Sequence, residues 1–200
     1  MNIGIYIYDN AEVLDFSGPF EVFSTASRVC THNTPFNAFL ISQTGDIVTA
    51  RAGYKVLPNY GFHNHEKIDV LLIAGGDHSD EINKPEVIDW IALQSSKSRI
   101  VASVCTGAFL LAKANVIKSH KVTTHWEDIP ALQTMFPKLE VVKDVRWVDE
   151  ENIITSGGIS AGIDMSLHLV SKLYSNDLAE KTASKMEFGW RKNKPHCSLS

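Results

Sequence analysis

The sequence predicts an α/β fold built on a mostly parallel sheet, on three observations. Short apolar runs of strand length alternate with stretches of helical period, as βαβ units require. Two of those runs, Asp69–Ala74 and Arg99–Val104, are almost wholly apolar, the pattern of strands covered on both faces. No repeat, low-complexity stretch or Pro/Gly/Ser-rich linker divides the 200 residues, a length over which one hydrophobic core can still grow. Residues 1–190 are therefore expected to form one domain, and residues 191–200, near the aperiodic end, a flexible tail.

The elements follow in order. Ile3–Tyr8 reads as the first strand. Gly18-Pro19 is expected to open the first helix, with proline early, where its missing N–H costs little, and Phe20, Val22 and Phe23 forming the apolar face. Phe36–Ser42 is a second strand and Ile47–Leu57 a polar hairpin. The buried strand Asp69–Ala74 ends in Gly75-Gly76. A helix near Pro85–Gln94 leads to Arg99–Val104, which runs without a loop into Cys105-Thr106-Gly107-Ala108 and a helix bearing Phe109, Leu110, Leu111 and Ala114. Val122–Thr124 is a short strand before His125 and a helix over Trp126–Phe136. Val141–Val148 and Asn152–Thr155 read as strands joined by the acidic turn Asp149-Glu150-Glu151. The glycine-rich stretch Ser156–Gly162 enters a helix over Ile163–Tyr174. A last helix is expected to be capped by Asp177, with Glu180 three residues on.

Composition narrows the function. Hydrophobic residues make up 44% of the chain, and the net charge of -4 with a pI near 6.0 leaves no basic stripe for a nucleic acid. Met1–Tyr8 lacks the basic region and cleavage site of a signal peptide, and no apolar run nears the roughly 20 residues that span a bilayer. No membrane partner is expected. Cys30, Cys105 and Cys197 have unrelated spacings, which suits a reducing cytoplasm and not a disulfide framework.

Cys105 stands out. A strand that drops straight into a helix must place it on a sharp, strained turn, and Gly107 and Ala108 are small enough to let that turn close. The side chain would then sit over the carboxyl ends of the strands, where open α/β sheets bind ligands. The helix N-terminus is expected to lower its thiol pKa below the free value. The alternative is a buried cysteine acting as a small hydrophobe. Backbone N–H groups of Gly75 and Gly76, with that of Thr106, could cradle an oxyanion, or Gly75-Gly76 is a plain turn. Asp15, in the apolar run Val13-Leu14-Asp15-Phe16, is expected to have a raised pKa and to serve as a proton donor; otherwise it is an acid at a helix start. Glu21 is better read as an exposed helix residue. His125, after Thr123-Thr124, is brought toward the same rim, although a lone histidine is more often structural. His63-x-His65 could chelate a metal but lacks further ligands, and His196-Cys197 falls in the tail; no metal or organic cofactor is expected.

These motifs form an ordered set with Arg146-Trp147-Val148-Asp149 and Thr155–Asp164. Together they resemble the ThiJ/PfpI superfamily of class I glutamine amidotransferase-like proteins, over about residues 2–175. The likeness is nearer to the branch of isonitrile hydratases and the sensor domains of AraC-type regulators. The resemblance implies a flavodoxin-like three-layer αβα sandwich, usually a homodimer, with the cysteine on a nucleophile elbow. It implies Cys105 as nucleophile, Asp15 as its acidic partner and Thr106 as the residue after the nucleophile. The superfamily's proteases place a histidine where Thr106 stands, and no distal His-x-Glu pair of a true amidotransferase is present. The regulators continue into a helix-turn-helix domain, which a chain ending at Ser200 is expected to lack. The activity implied is cofactor-independent hydration of an isocyanide to an N-substituted formamide. In it Cys105 attacks, Asp15 supplies the proton, Thr106 and Asp15 orient water, and Gly75, Gly76 and His125 hold the small-molecule substrate. The rival is a non-enzymatic sensor of a small ligand or oxidant that reads the oxidation state of Cys105.

Overall fold

The computed structural model describes residues 1–193. Its centre is a six-stranded sheet of β1 (Asn2–Tyr6), β2 (Asn37–Ile41), β5 (Val70–Ile73), β6 (Ile100–Val104), β9 (Trp147–Glu150) and β10 (Ile153–Ser156), in the order β2-β1-β5-β6-β10-β9. All neighbours are parallel except β9, which pairs antiparallel with β10. Every residue of β5 and β6 is buried, so helices must cover both faces. Helices α1 (Val13–Val29), α5 (Ser160–Leu173) and α6 (Asn176–Lys185) pack together, while α2 (Pro85–Lys97) packs on α3 (Gly107–Lys113). This is the expected flavodoxin-like α/β sandwich. The hairpin β3 (Val48–Ala50) and β4 (Tyr54–Val56) stands where Ile47–Leu57 predicted one.

Strand order decides where a ligand can go. The chain leaves β1 for β2 on one side, then returns to put β5 on the other, so order reverses between β1 and β5. The crevice at such a reversal, outside the carboxyl ends of the strands, is where open sheets bind ligands. Asp15 follows β1, Gly75 follows β5 and Cys105 follows β6, so all three converge there.

Several boundaries differ from the expected ones. Helix α1 begins at Val13, not Gly18, so Pro19 lies inside it. Proline withholds one helical N–H, the one that would otherwise reach Asp15 O; one turn earlier, Ser17 Oγ donates to Val13 O at 2.7 Å. Asp15 therefore sits in the first helical turn, not before the helix. The stretch Val141–Val148 is not one strand: β8 (Glu140–Val141) pairs with β7 (Lys121–Val122), and β9 begins only at Trp147. Asp144 has φ 60°, a left-handed turn that breaks the run. Trp126–Asp128 forms a 3₁₀ turn ahead of α4 (Ile129–Met135). The cap of α6 is Ser175, whose hydroxyl accepts from Leu178 N at 3.1 Å; Asp177 lies within the first turn and pairs with Lys181. Of the expected tail, Asn193 brackets β9, accepting from Arg146 N at 3.0 Å and donating to Trp147 O at 2.7 Å. Residues 194–200, with His196 and Cys197, lie outside the described residues.

Candidate active site

The elbow at Cys105 is strained, with φ 55° on a residue that has a Cβ. Its backbone is over-determined. Cys105 N donates to Ser156 O at 3.1 Å at the end of β10, and Thr124 Oγ1 donates to Cys105 O at 2.7 Å. Ile159 is a second left-handed residue, φ 56°, at the start of α5, and it faces the same cavity.

Asp15 reaches this elbow from α1. Its side chain is completely buried, and Oδ1 accepts from Ile159 N at 2.8 Å. Oδ2 is buried without a hydrogen-bond partner among the described residues. Gly75 explains how close the groups approach. A Cβ on Gly75 would lie 2.6 Å from Cys105 Cβ, 2.7 Å from Asp15 Oδ2 and 2.7 Å from Thr106 N, so only glycine fits between them.

The electrostatics follow from burial. Desolvation lifts the Asp15 carboxyl from 3.8 to about 7; the Ile159 N–H opposes the rise and the Glu12 charge adds to it. Cys105 does not have the lowered pKa expected of a helix N-terminus. Burial pushes the thiol well above its ordinary value, the Asp15 charge pushes it further, and the facing Thr106 N–H offsets only part of this. Helix α3 has only seven residues, a weak counterweight to desolvation. Above about pH 7 the two groups therefore share one negative charge and one proton, and below it Asp15 gains a second proton.

The Thr106 hydroxyl is engaged differently from expectation. It donates to Gly76 O and accepts from Gly76 N, both at 2.8 Å. Its single proton is used, so toward substrate or water it has only one lone pair to offer. Thr106 thus staples the end of β5 to the elbow. Gly76 and Thr106 line one wall of a cavity of about 410 Å³ over Cys105.

His125 stands across this cavity, its Nδ1 3.5 Å from Asp128 Oδ2. The missing side chain of Gly158 leaves the space between His125 and the sulfur open; a Cβ there would meet His125 Cδ2 at 2.7 Å and Cys105 Sγ at 3.0 Å. Glu21 points away, to Arg28 at 2.7 Å. His63 is exposed beside Glu86, and His65 packs edge-on against Trp90, whose indole N–H faces it at 3.3 Å. The sequence reading overlooked Arg51, His78, Asp128 and Ile159, which also line the cavity. Arg51 comes from the β3–β4 hairpin, and no motif tied that hairpin to the elbow.

With Cys105 on its strand-to-helix turn and Asp15 buried beside it, the comparisons with known proteins give the family. The model of the DJ-1/PfpI family matches residues 1–172. The chain belongs to the DJ-1/PfpI family. Among DJ-1/PfpI relatives, it is 31% identical over 191 residues to an isonitrile hydratase of Pseudomonas putida, covering 94% of this chain and 78% of that one. It is 25% identical to the HTH-type transcriptional regulator GbdR of Pseudomonas aeruginosa, covering 89% of this chain but only 48% of the regulator. A solved ThiJ/PfpI family protein from Pseudomonas syringae superposes with a TM-score of 0.83 at 26% identity, covering 100% of this chain and 78% of that one. Among the described residues no helix is long and apolar enough to cross a membrane, and no group of three or more metal-ligating side chains converges.

Proposed function

We propose that this protein is an isonitrile hydratase-like enzyme that adds water to an isocyanide and releases an N-substituted formamide. The observation that carries this is the unpartnered, buried Oδ2 of Asp15 beside the Cys105 elbow. A carboxyl of pKa about 7 next to a thiol can both take and return one proton near neutral pH. The 31% identity to an isonitrile hydratase over most of both chains supports the same chemistry.

The reaction balances on that shared proton. As the Cys105 sulfur attacks the terminal carbon of R–N≡C, its proton passes to the Asp15 carboxylate and from there to the same carbon. A thioimidate, R–N=CH–S–Cys105, results. Asp15, again ionised, takes a proton from water as the hydroxide adds to that carbon, and the nitrogen acquires the proton. Collapse of the adduct breaks the C–S bond, releases R–NH–CHO and restores the thiol. The Thr106 N–H faces the sulfur throughout, while the Thr106 hydroxyl keeps Gly76 in place and can only accept from the incoming water. His125 and the Gly75–Gly76 turn bound the space the substrate enters. On this proposal the protein works as a homodimer in a reducing cytoplasm, as the family resemblance implies.

The test is formamide production from a small panel of alkyl and aryl isocyanides. Turnover should fall as pH drops below about 7, where Asp15 becomes protonated and can no longer accept the thiol proton. Cys105→Ala should abolish turnover. An enzyme whose rate is flat from pH 5 to 9, or a parent protein inert toward every isocyanide, would count against the proposal.

A further inference from the structure

The charges around the Cys105 cavity are unbalanced. Four carboxylates line it, from Glu12, Asp77, Glu127 and Asp128, against one guanidinium, from Arg51. Arg51 Nε lies 3.4 Å from Glu12 Oε2, so those two largely cancel. Among the described residues no lysine or second arginine pairs with Asp77, Glu127 or Asp128; His125 and His78 face Asp128, and Arg51 also acts on Asp77 at longer range. Hydrogen bonds from the Ser79 hydroxyl and backbone N–H hold the Asp77 carboxyl below its ordinary range, and burial moves the nearby His78 imidazole below its own. The single charge shared by Asp15 and Cys105 has the same sign. Trp126 is 72% exposed in the same 3₁₀ turn as Glu127 and Asp128, next in sequence to the cavity's His125.

We propose that the Cys105 cavity selects by charge, taking isocyanides whose non-reacting end is an ammonium group ahead of neutral ones and turning away those that end in a carboxylate. This rests on the hydratase reading for the reacting group and on the cavity's own carboxylates for the selection. A like charge brought into a cleft with low-dielectric walls is repelled through the whole approach, and an opposite charge is drawn in. Much of the acid set is solvent-exposed, so the effect must weaken as salt rises.

Two arms test it. In the first, Cys105 is modified by methanethiosulfonates carrying either trimethylammonium or sulfonate, and the Cys105 peptide is followed by mass so that Cys30 does not contribute. Relative to their rates on a free small thiol, the cationic reagent should react faster by about tenfold at low ionic strength. The ratio should shrink in high salt and in the Glu127→Gln/Asp128→Asn variant. In the second arm, kcat/KM is compared for 2-(trimethylammonio)ethyl isocyanide, cyclohexyl isocyanide and isocyanoacetate, which should fall in that order. Equal normalised rates for the two thiol reagents, or isocyanoacetate turned over as well as the cation, would overturn charge selection. A clear thiol-reagent ratio without hydration of any isocyanide would uphold charge selection and overturn only the hydratase reading.

Discussion

Asp15→Asn is expected to make the protein more stable at pH 8 while removing most of its activity. The sign follows from proton binding. Between the ordinary 3.8 and about 7, the folded chain holds a proton on Asp15 that the unfolded chain has released, so stability declines as pH rises through that interval. Above it the full cost is present, roughly 4 kcal/mol at about 1.4 kcal/mol per pH unit. Asparagine has nearly the same volume, can still accept the Ile159 N–H through Oδ1, and carries no charge to bury. Urea unfolding should therefore show a gain approaching 4 kcal/mol at pH 8 that shrinks toward zero at pH 4. The amide cannot accept or return the proton, so turnover should drop by about 10²–10⁴-fold. Equal stability of the two proteins at both pH values would mean that Asp15 titrates like an ordinary surface acid.

Gly75→Ala should have the opposite effect on stability and the same effect on activity. The new methyl would meet Cys105 Cβ at 2.6 Å, Asp15 Oδ2 at 2.7 Å and Thr106 N at 2.7 Å. None of these is the free end of a flexible chain: two belong to the strained elbow and the third to a side chain buried on every side. Overpacking of this kind costs about 1–3 kcal/mol, and relief requires moving the elbow or the carboxyl. Either movement separates sulfur from acid, so hydration should fall by at least about 10²-fold, since misplacement by an ångström costs that much. Gly189→Ala is the matched control, because nothing lies within 4 Å of a Cβ built there. A fully active Gly75→Ala enzyme would mean that Cys105 and Asp15 need not be held in contact.

The elbow and its partners were legible because each lies where a buried strand ends. A run such as Ile100–Val104 followed by Cys-Thr-Gly-Ala leaves little choice of geometry, and an acid within Val13–Phe16 had to be buried or face a cleft. The start of α1 was misread because Pro19 looks like a first-turn residue, whereas it lies inside a helix that already begins at Val13. The Cys105 pKa was misjudged in sign because a helix end can be seen in a sequence while desolvation and a neighbouring charge cannot. Thr106 lines the cavity beside Cys105, but both of its hydroxyl bonds go to Gly76, some thirty residues away, and no local pattern announces them. The rim was least legible. Arg51, Asp77 and Asp128 come from three separate loops, and only the sheet order brings them to one opening.

The central claim, that Cys105 bonds to the isocyanide carbon with Asp15 moving the proton, is tested most directly by native mass spectrometry during turnover at neutral pH. The parent protein should gain the mass of one intact isocyanide, since addition to the thiol expels nothing, and the gain should map to the Cys105 peptide and vanish in Cys105→Ala. Formamide accumulating at the parent rate from Cys105→Ala, or an adduct that maps to Cys30 instead, would contradict it.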